Sequence, residues 1–385
     1  MNFFDQPLKR FPLTSVSDYR TMAQKRLPGQ LFDFLEGGAF EEITIKRNCE
    51  DFQKIQLKRK VLRDVSNINM STEILGQQID FPLILAPVGF AGLYARRGEV
   101  QAASAAARAD IPFSLSTVSI CSMEEVAQKV SKPFWFQFYM FKDRAFSLEL
   151  LKRAEAVQCP VLLLTVDLPM AGARYRYHRS RQKSHFLNFL DAMIHFPWWI
   201  DVYIKGGPIS LGNIPTSAPK LPNLASMRKW MGMQLNQACS WKDFEWVRAN
   251  WKGKIVIKGI LDPEDAVMAS KVGADGIVVS NHGARHIDGT LSTISALPSI
   301  CDAVKGRLEI LMDGGITSGL DIVKALSVGA DACMIGKPWM YGLAARGENG
   351  VEEVLAILKN ELKIVMAHLG ISSIKDIHRG LLVQA

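Results

Sequence analysis

The chain is predicted to fold as an α/β protein, a (β/α)8 TIM barrel with a helical segment ahead of it and a long insertion after the fourth strand. Three observations predict this. Short apolar, β-branched runs alternate with helical segments about eight times from residue 81 onward, and strands spaced by helices build parallel βαβ units. Eight such units in one chain close into a barrel rather than an open sheet. Val272-Gly273-Ala274-Asp275 recurs as Val328-Gly329-Ala330-Asp331, each a helix stop at glycine that leads straight into the next strand.

Residues 1 to about 80 read as mainly helical. Ser17-Asp18 precedes the periodic run that starts at Tyr19, Leu27-Pro28-Gly29 breaks it, and a second helix from Gln30 to Leu35 ends at Gly37-Gly38. The eight strand-like runs are Leu83 to Ala86, Pro112 to Ser116, Phe134 to Tyr139, Val161 to Asp167, Ile255 to Lys258, Gly276 to Val279, Leu308 to Met312 and Ala332 to Ile335, with helices such as Gly98 to Asp110 and Met123 to Val130 between them. The expected organisation is one domain over 1–385: a helical segment 1–80, a barrel 81–345 carrying an insertion at about 174–240, and C-terminal helices 346–385.

About 85 residues separate the fourth and fifth strands, far more than a barrel connection needs. Within them, Arg179 to Lys205 mixes Arg181, Lys183 and other basic residues with Phe186, Phe189, Met193, Ile194, Phe196, Trp198, Trp199, Ile200 and Tyr203. Basic residues beside clustered aromatics suit a membrane–water interface; a lid packed on the barrel mouth would carry the same residues. The run is too short, and too interrupted by His195, Pro197 and Asp201, to span a bilayer.

Composition narrows the function. With 48% hydrophobic residues among 385, a large core forms without disulfides. The six cysteines are scattered, with no Cys-x-x-Cys pair and no histidine at metal-ligand spacing, which points to a reducing compartment and to no metal site. The first residues show no charged stretch followed by a long apolar run, so no secretory leader is expected. The net charge is +8, but no long Lys/Arg run or nucleic-acid motif accompanies it, so nucleic acid is not expected as a partner.

The chemistry gathers where barrels place it, at the C-terminal strand ends. Ser116, Gln137, Tyr139, Thr165, Asp167, Lys258, Ser280 and His282 all close strands. The sixth strand breaks into Asn281-His282-Gly283-Ala284-Arg285. A histidine takes a proton near neutral pH, and an arginine three residues on holds a carboxylate through paired hydrogen bonds. The loops after the last two strands, Asp313-Gly314-Gly315-Ile316-Thr317-Ser318-Gly319 and Gly336-Lys337-Pro338, have the glycines and the position of a phosphate cradle; tight packing alone would also select glycine there.

These motifs identify a resemblance. Phe81-Pro82-Leu83-Ile84-Leu85-Ala86-Pro87-Val88-Gly89, Leu115-Ser116-Thr117-Val118-Ser119, Trp135-Phe136-Gln137-Phe138-Tyr139, Gly172-Ala173-Arg174-Tyr175-Arg176, Trp241-Lys242-Asp243, Lys258 to Asp265 and Ser280-Asn281-His282-Gly283 are similar to the FMN-dependent α-hydroxy-acid dehydrogenases and oxidases, from about residue 10 to the end. The resemblance is strongest to the respiratory L-lactate dehydrogenases of bacteria. It implies FMN as cofactor and an L-2-hydroxy acid as substrate, with L-lactate oxidised to pyruvate. It implies Pro87, Val88, Gly89, Ser116, Gln137, Thr165, Lys258 and Ser280 around the flavin, and Asp313, Gly314, Gly315, Gly336 and Lys337 at its phosphate end. His282 is then the base, Asp167 its partner, Tyr139 the contact to the substrate hydroxyl, and Arg285 and Arg174 the carboxylate clamp. Relatives with these motifs pass electrons to a quinone, a cytochrome or oxygen; a quinone or cytochrome is expected here, with an oxygen-using oxidase or a dehydrogenase for a bulkier 2-hydroxy acid as the alternatives. The basic, aromatic segment Arg179 to Lys205 leads us to expect peripheral attachment to the cytoplasmic side of the inner membrane, and a homo-tetramer is expected from the resemblance. The chain departs from the pattern at Phe34, where a substrate-binding tyrosine is usual, and at Thr317 and Lys337, where arginines usually hold the phosphate. Two other readings compete. A nucleotide-acting barrel like inosine-monophosphate dehydrogenase would need a catalytic cysteine loop, for which there is no candidate. A flavin-binding relative without activity would not need the intact set His282, Arg285, Tyr139, Asp167 and Arg174.

Overall fold

The computed structural model of the protein describes residues 13–182, 191, 193–214, 218–219 and 223–383. Eight short strands form one parallel sheet: β3 Leu83–Leu85, β4 Ser114–Ser116, β5 Trp135–Phe138, β6 Val161–Thr165, β7 Lys254–Ile260, β8 Gly276–Val279, β9 Glu309–Asp313 and β10 Ala332–Ile335. Their order is β3-β10-β9-β8-β7-β6-β5-β4, and a parallel bridge between Leu85 and Phe113 closes the ring. β3, β4, β5, β6, β8 and β10 are buried along their whole length. That is why these strands read as unbroken apolar runs: helices cover the outside and side chains fill the inside.

The N-terminal segment supplies α1 Val16–Arg26, α2 Gly29–Glu36 and α3 Ile43–Gln53. The expectation of a mainly helical segment omits one element. Residues 72–79 form an antiparallel hairpin, β1 Thr72–Ile74 and β2 Gln77–Ile79. Its turn places Leu75 and Gly76 at φ of +51° and +78°, the geometry that matches the twist of paired strands. Leu75 adopts this unfavourable region because its side chain is buried with Ile74 and Ile79 among the inward-facing Ile84, Val161 and Leu311. The hairpin therefore plugs one end of the barrel and leaves the other end for chemistry.

α3 also lay outside the sequence reading. Its Asn48 exchanges two amide hydrogen bonds with Asn281 after β8, at 3.0 and 2.8 Å. This pins the N-terminal segment against the loop that carries His282. At the C-terminus, helix Lys337–Leu369 starts directly at the end of β10 and bends at Arg346 and Gly347.

The insertion is partly helical, with Tyr175–Arg181, Phe196–Trp199 and Leu224–Gln234. Lys183, Phe186 and Phe189 lie outside the described residues. The two tryptophans differ. Trp198 is 7% exposed and donates its indole N–H to the Leu93 carbonyl at 2.8 Å, so it anchors the segment to the barrel and does not face outward as the interface reading requires. Trp199 stays exposed, with Met193, Ile194, Phe196, Tyr203 and Ile204, and lies between Phe196 and Tyr203 in a stack. Asp201 fixes the other side by pairing with Arg26 and Arg96. Among the described residues, no helix is long and apolar enough to cross a membrane.

Candidate active site

A cavity of about 1360 Å³ opens at the C-terminal strand ends. One wall is a row of polar side chains from consecutive strands. Ser116 Oγ donates to Gln137 Oε1 at 3.2 Å, and Gln137 Nε2 donates to Thr165 Oγ1 at 3.1 Å. Lys258 follows on β7, donating to Ser280 Oγ at 2.8 Å and pairing with Asp313 at 2.5 Å. Parallel pairing sets Ser116 beside Gln137 and Thr165 beside Lys258, and the Gln137 side chain bridges to Thr165, two residues beyond its register partner Leu163. Pro87, Val88 and Gly89 line the cavity from the end of β3. Gly89 is needed there, because a Cβ would lie 2.5 Å from Val118 Cγ2.

The loop after β8 turns sharply, with φ of +55°, +63° and +57° at His282, Gly283 and Ala284. A histidine in the left-handed region is strained. It is held there by its own N–H to Ser280 Oγ at 3.0 Å and by the Ala284 N–H to Asn281 Oδ1 at 3.1 Å. The imidazole meets Asp167, with Nδ1 2.8 Å from Oδ1. This approach depends on Gly259. It sits at φ +114°, where β7 shifts register between Lys258 and Ile260, and a Cβ there would lie 2.5 Å from the Asp167 Cβ.

A carboxylate only accepts hydrogen bonds, so Nδ1 of His282 carries the hydrogen and Nε2 offers a lone pair. Burial, and then the Lys258 charge, hold the His282 pKa well below its usual value. The resting imidazole is therefore neutral and ready to accept a proton. Burial raises the Asp167 carboxyl, and the nearby Lys258 charge opposes that rise. Tyr139 is 9% exposed; burial, then the Asp167 charge, push its phenol up and keep it protonated.

Arg285 and Arg174 stand on the same side, in different states. Arg285 caps the end of α2, donating to the carbonyls of Phe34, Leu35 and Gly37 at 2.8, 2.8 and 3.2 Å. Arg174 gives its Nε to the Arg285 carbonyl at 3.3 Å, while its buried Nη1 has no partner among the described residues. Burial, with Arg285 and Arg228 close by, brings the Arg174 pKa down to about 9. Phe34 lies among guanidinium groups, with Arg174 and Arg285 at 5.2 and 5.5 Å from the ring centre.

At the far end are the two glycine loops. Gly314 and Gly315 have φ of +92° and +84°. Gly315 has a packing role of its own, since a Cβ would fall 1.9 Å from the Asn48 carbonyl. Gly336 precedes helix Lys337–Leu369, whose first backbone N–H groups are unpaired within the helix. The half-buried Lys337 donates to the Glu36 carbonyl at 2.7 Å, and its pKa falls to about 8 through loss of water, opposed by Glu36. Thr317 is engaged with Asp321. The residues fit FMN. The row from Ser116 to Lys258 offers donors and acceptors to a flat polar ring, and the glycine turn, helix N-terminus and Lys337 suit a phosphate. Asp313 Oδ1 is buried without a partner among the described residues, a polar atom left over for a ligand.

Every candidate from the sequence borders this cavity except Ser280, which contacts it through Lys258 and the His282 amide, and Asp167, which reaches it through the His282 imidazole. Four participants escaped the sequence reading. His286 donates to the Asp167 carbonyl at 2.9 Å with its ring 4.0 Å from that of His282; its distance of four residues from His282 was a visible signal. Glu36 partners Lys337, Tyr341 and Arg20. Tyr177 and Arg228 come from the insertion, whose path across the mouth carries no periodic pattern.

Comparison with known proteins gives the same answer by an independent route. A family model described as FMN-dependent dehydrogenase matches residues 23–384. L-lactate dehydrogenase of Alcaligenes faecalis is 46% identical, over 97% of this chain and 99% of its own. L-lactate dehydrogenase of Xanthobacter autotrophicus is 48% identical, over 97% of each. Among solved structures, the monotopic membrane protein (S)-mandelate dehydrogenase superposes with a TM-score of 0.93 at 35% identity, covering 97% of this chain and all of that one. A mandelate oxidase variant bound to 2-hydroxy-phenylacetamide superposes with 0.80 at 34%, covering 95% and 97%. With a neutral histidine set against a half-buried aspartate in a barrel mouth that fits a flavin, the chain belongs to the FMN-dependent dehydrogenase family.

Proposed function

We propose that the protein oxidises an L-2-hydroxy acid, L-lactate to pyruvate, and that its electrons go to a quinone or cytochrome of the respiratory chain. The observation that carries this reading is the neutral His282, paired with Asp167 and facing the same cavity as Arg174, whose Nη1 has no partner among the described residues. Arg174 takes the substrate carboxylate, and Arg285 adds charge while fixing the floor. Tyr139 donates to the C2 hydroxyl. Nε2 of His282 accepts a proton from the substrate, and the Asp167 carboxylate stabilises the resulting imidazolium. Ser116, Gln137, Thr165, Lys258 and Ser280 hold the flavin ring; Gly314, Gly315, Gly336 and Lys337 hold its phosphate. FMN, when bound, supplies a two-electron acceptor. Phe34 gives the pocket an apolar ring in place of a hydroxyl. The lactate dehydrogenase names of the relatives at 46 to 48% identity support the substrate.

The exposed cluster Met193, Ile194, Phe196, Trp199, Tyr203 and Ile204 supports peripheral attachment to the cytoplasmic side of the inner membrane, as does the monotopic relative. A homo-tetramer is the proposed assembly. The experiment for the reaction is anaerobic addition of L-lactate to the flavin-loaded protein. The visible flavin band should bleach and one pyruvate should appear per flavin; an unchanged spectrum would refute the reading.

A further inference from the structure

The pocket holds a third guanidinium. Arg228 lies on helix Leu224–Gln234, three residues from the buried Met231 and so on the helix face turned to the protein. Arg228 itself is half-buried, and an arginine drawn part-way out of water favours an anionic partner. Arg228 has aromatic rings instead: Phe34, Phe90 and Tyr177, at 5.1, 5.5 and 5.8 Å. Its Nη1 donates to the Tyr177 hydroxyl at 3.1 Å. No ion pair found among the described residues involves Arg174, Arg228 or Arg285. One aromatic ring, Phe34, thus separates three like charges.

The charge balance of the cavity follows. Lys258 is neutralised by Asp313, and His282 is uncharged. The carboxylate of lactate matches Arg174. Arg285 is already solvated by three carbonyls, which leaves Arg228 without an anion. Its guanidinium carbon lies no more than 10.3 Å from that of Arg174, the sum of their distances to the Phe34 ring centre. A bidentate guanidinium–carboxylate pair sets its two carbons about 4 Å apart, and a four- or five-carbon diacid separates its carboxyl carbons by roughly 4–5 Å. A bent diacid of that length is long enough to reach both guanidinium groups within this upper bound.

We propose that Arg228, with the Tyr177 hydroxyl, is the recognition site for a second carboxylate, and that the enzyme oxidises L-2-hydroxy dicarboxylates of four or five carbons as well as L-lactate. This rests on the hydroxy-acid reading above. The C2–H and O–H bonds break and a C2=O bond forms. Two electrons and two protons leave the diacid, as they do lactate, and a soluble two-electron dye takes the electrons at the end of each turnover.

The test compares L-lactate, L-malate, L-2-hydroxyglutarate and (S)-mandelate on the FMN-loaded enzyme with a soluble dye, in the wild type, Arg228→Leu and Arg228→Lys. At least one diacid should match or exceed L-lactate in kcat/KM. Arg228→Leu should lower the diacid-to-lactate ratio at least tenfold, mainly through KM, and Arg228→Lys should restore part of it. Independently of turnover and of either variant, the unreactive D-malate should perturb the wild-type flavin spectrum with a Kd at least tenfold below that of D-lactate. The proposal fails, with the hydroxy-acid reading intact, if L-lactate reduces the flavin but neither diacid does. It also fails if the ratio falls less than tenfold in Arg228→Leu, if D-malate binds no tighter than D-lactate, or if (S)-mandelate outperforms both diacids. If none of the four acids reduces the flavin, the underlying reading falls with it.

Discussion

Replacing Asp167 by Asn isolates one charge in the site. The substitution keeps the shape and leaves an acceptor near His282 Nδ1, now 2.8 Å from the carboxylate oxygen, but removes the negative charge that the forming imidazolium faces. Around that imidazolium stand Lys258, Arg285 and Arg174, which all disfavour a proton, and Asp313, which favours one. Without Asp167 the local field turns against protonation. A hydrogen bond to a charged group contributes about 1.5–3 kcal/mol, against about 1 kcal/mol for a neutral one. Together with the lost charge, this gives a barrier roughly 3 kcal/mol higher, or on the order of 150-fold slower. Anaerobic stopped-flow mixing with L-lactate reads the flavin-reduction rate directly, and FMN content and thermal unfolding control for damage to the fold. Asp167→Asn should bind FMN normally and reduce it at about 1% of the wild-type rate. Reduction within threefold of wild type would refute the pairing as the source of base strength.

Two further outcomes follow from the geometry. Gly259→Ala puts a Cβ 2.5 Å from that of Asp167 at a φ of +114°, which should cost about 2–4 kcal/mol in denaturant unfolding and slow flavin reduction by displacing Asp167; an unchanged midpoint and rate would contradict this. The combined variant Phe196→Ser, Trp199→Ser and Ile204→Ser should sediment at least tenfold less with anionic phospholipid vesicles, since each apolar side chain withdrawn from water contributes about 1.5–3 kcal/mol, while its flavin still bleaches; equal sedimentation would remove this patch from the membrane contact.

The barrel was legible because most strands are buried along their whole length and the repeated Val-Gly-Ala-Asp stop leads into two of them, β8 and β10. The site was legible because polar residues at strand ends are rare without a ligand, and Ser116, Gln137, Thr165 and Lys258 close four consecutive strands. What stayed hidden depended on distance in sequence. Asn48 and Asn281 are 233 residues apart, and no local pattern announces their pairing. Arg228 reads as an ordinary helix-surface arginine until the insertion is folded over Phe34. Trp198 and Trp199 look alike in sequence, and only the Leu93 carbonyl separates an anchor from an exposed ring. The hairpin at 72–79 carried a weak signal, a Leu75-Gly76 turn between two very short runs, and was absorbed into a helical segment.

The most direct test of the account is His282→Ala, purified with its flavin and mixed with L-lactate in the absence of oxygen. The imidazole contacts Asp167 and the His286 ring and makes no hydrogen bond to the glycine loops among the described residues, so FMN should remain bound in full. Losing a general base costs about 10²- to 10⁴-fold in rate, so the flavin band should persist over the time in which the wild type bleaches completely. Bleaching at near wild-type speed would contradict the account at its centre, because the proton would then be leaving the substrate for some other group.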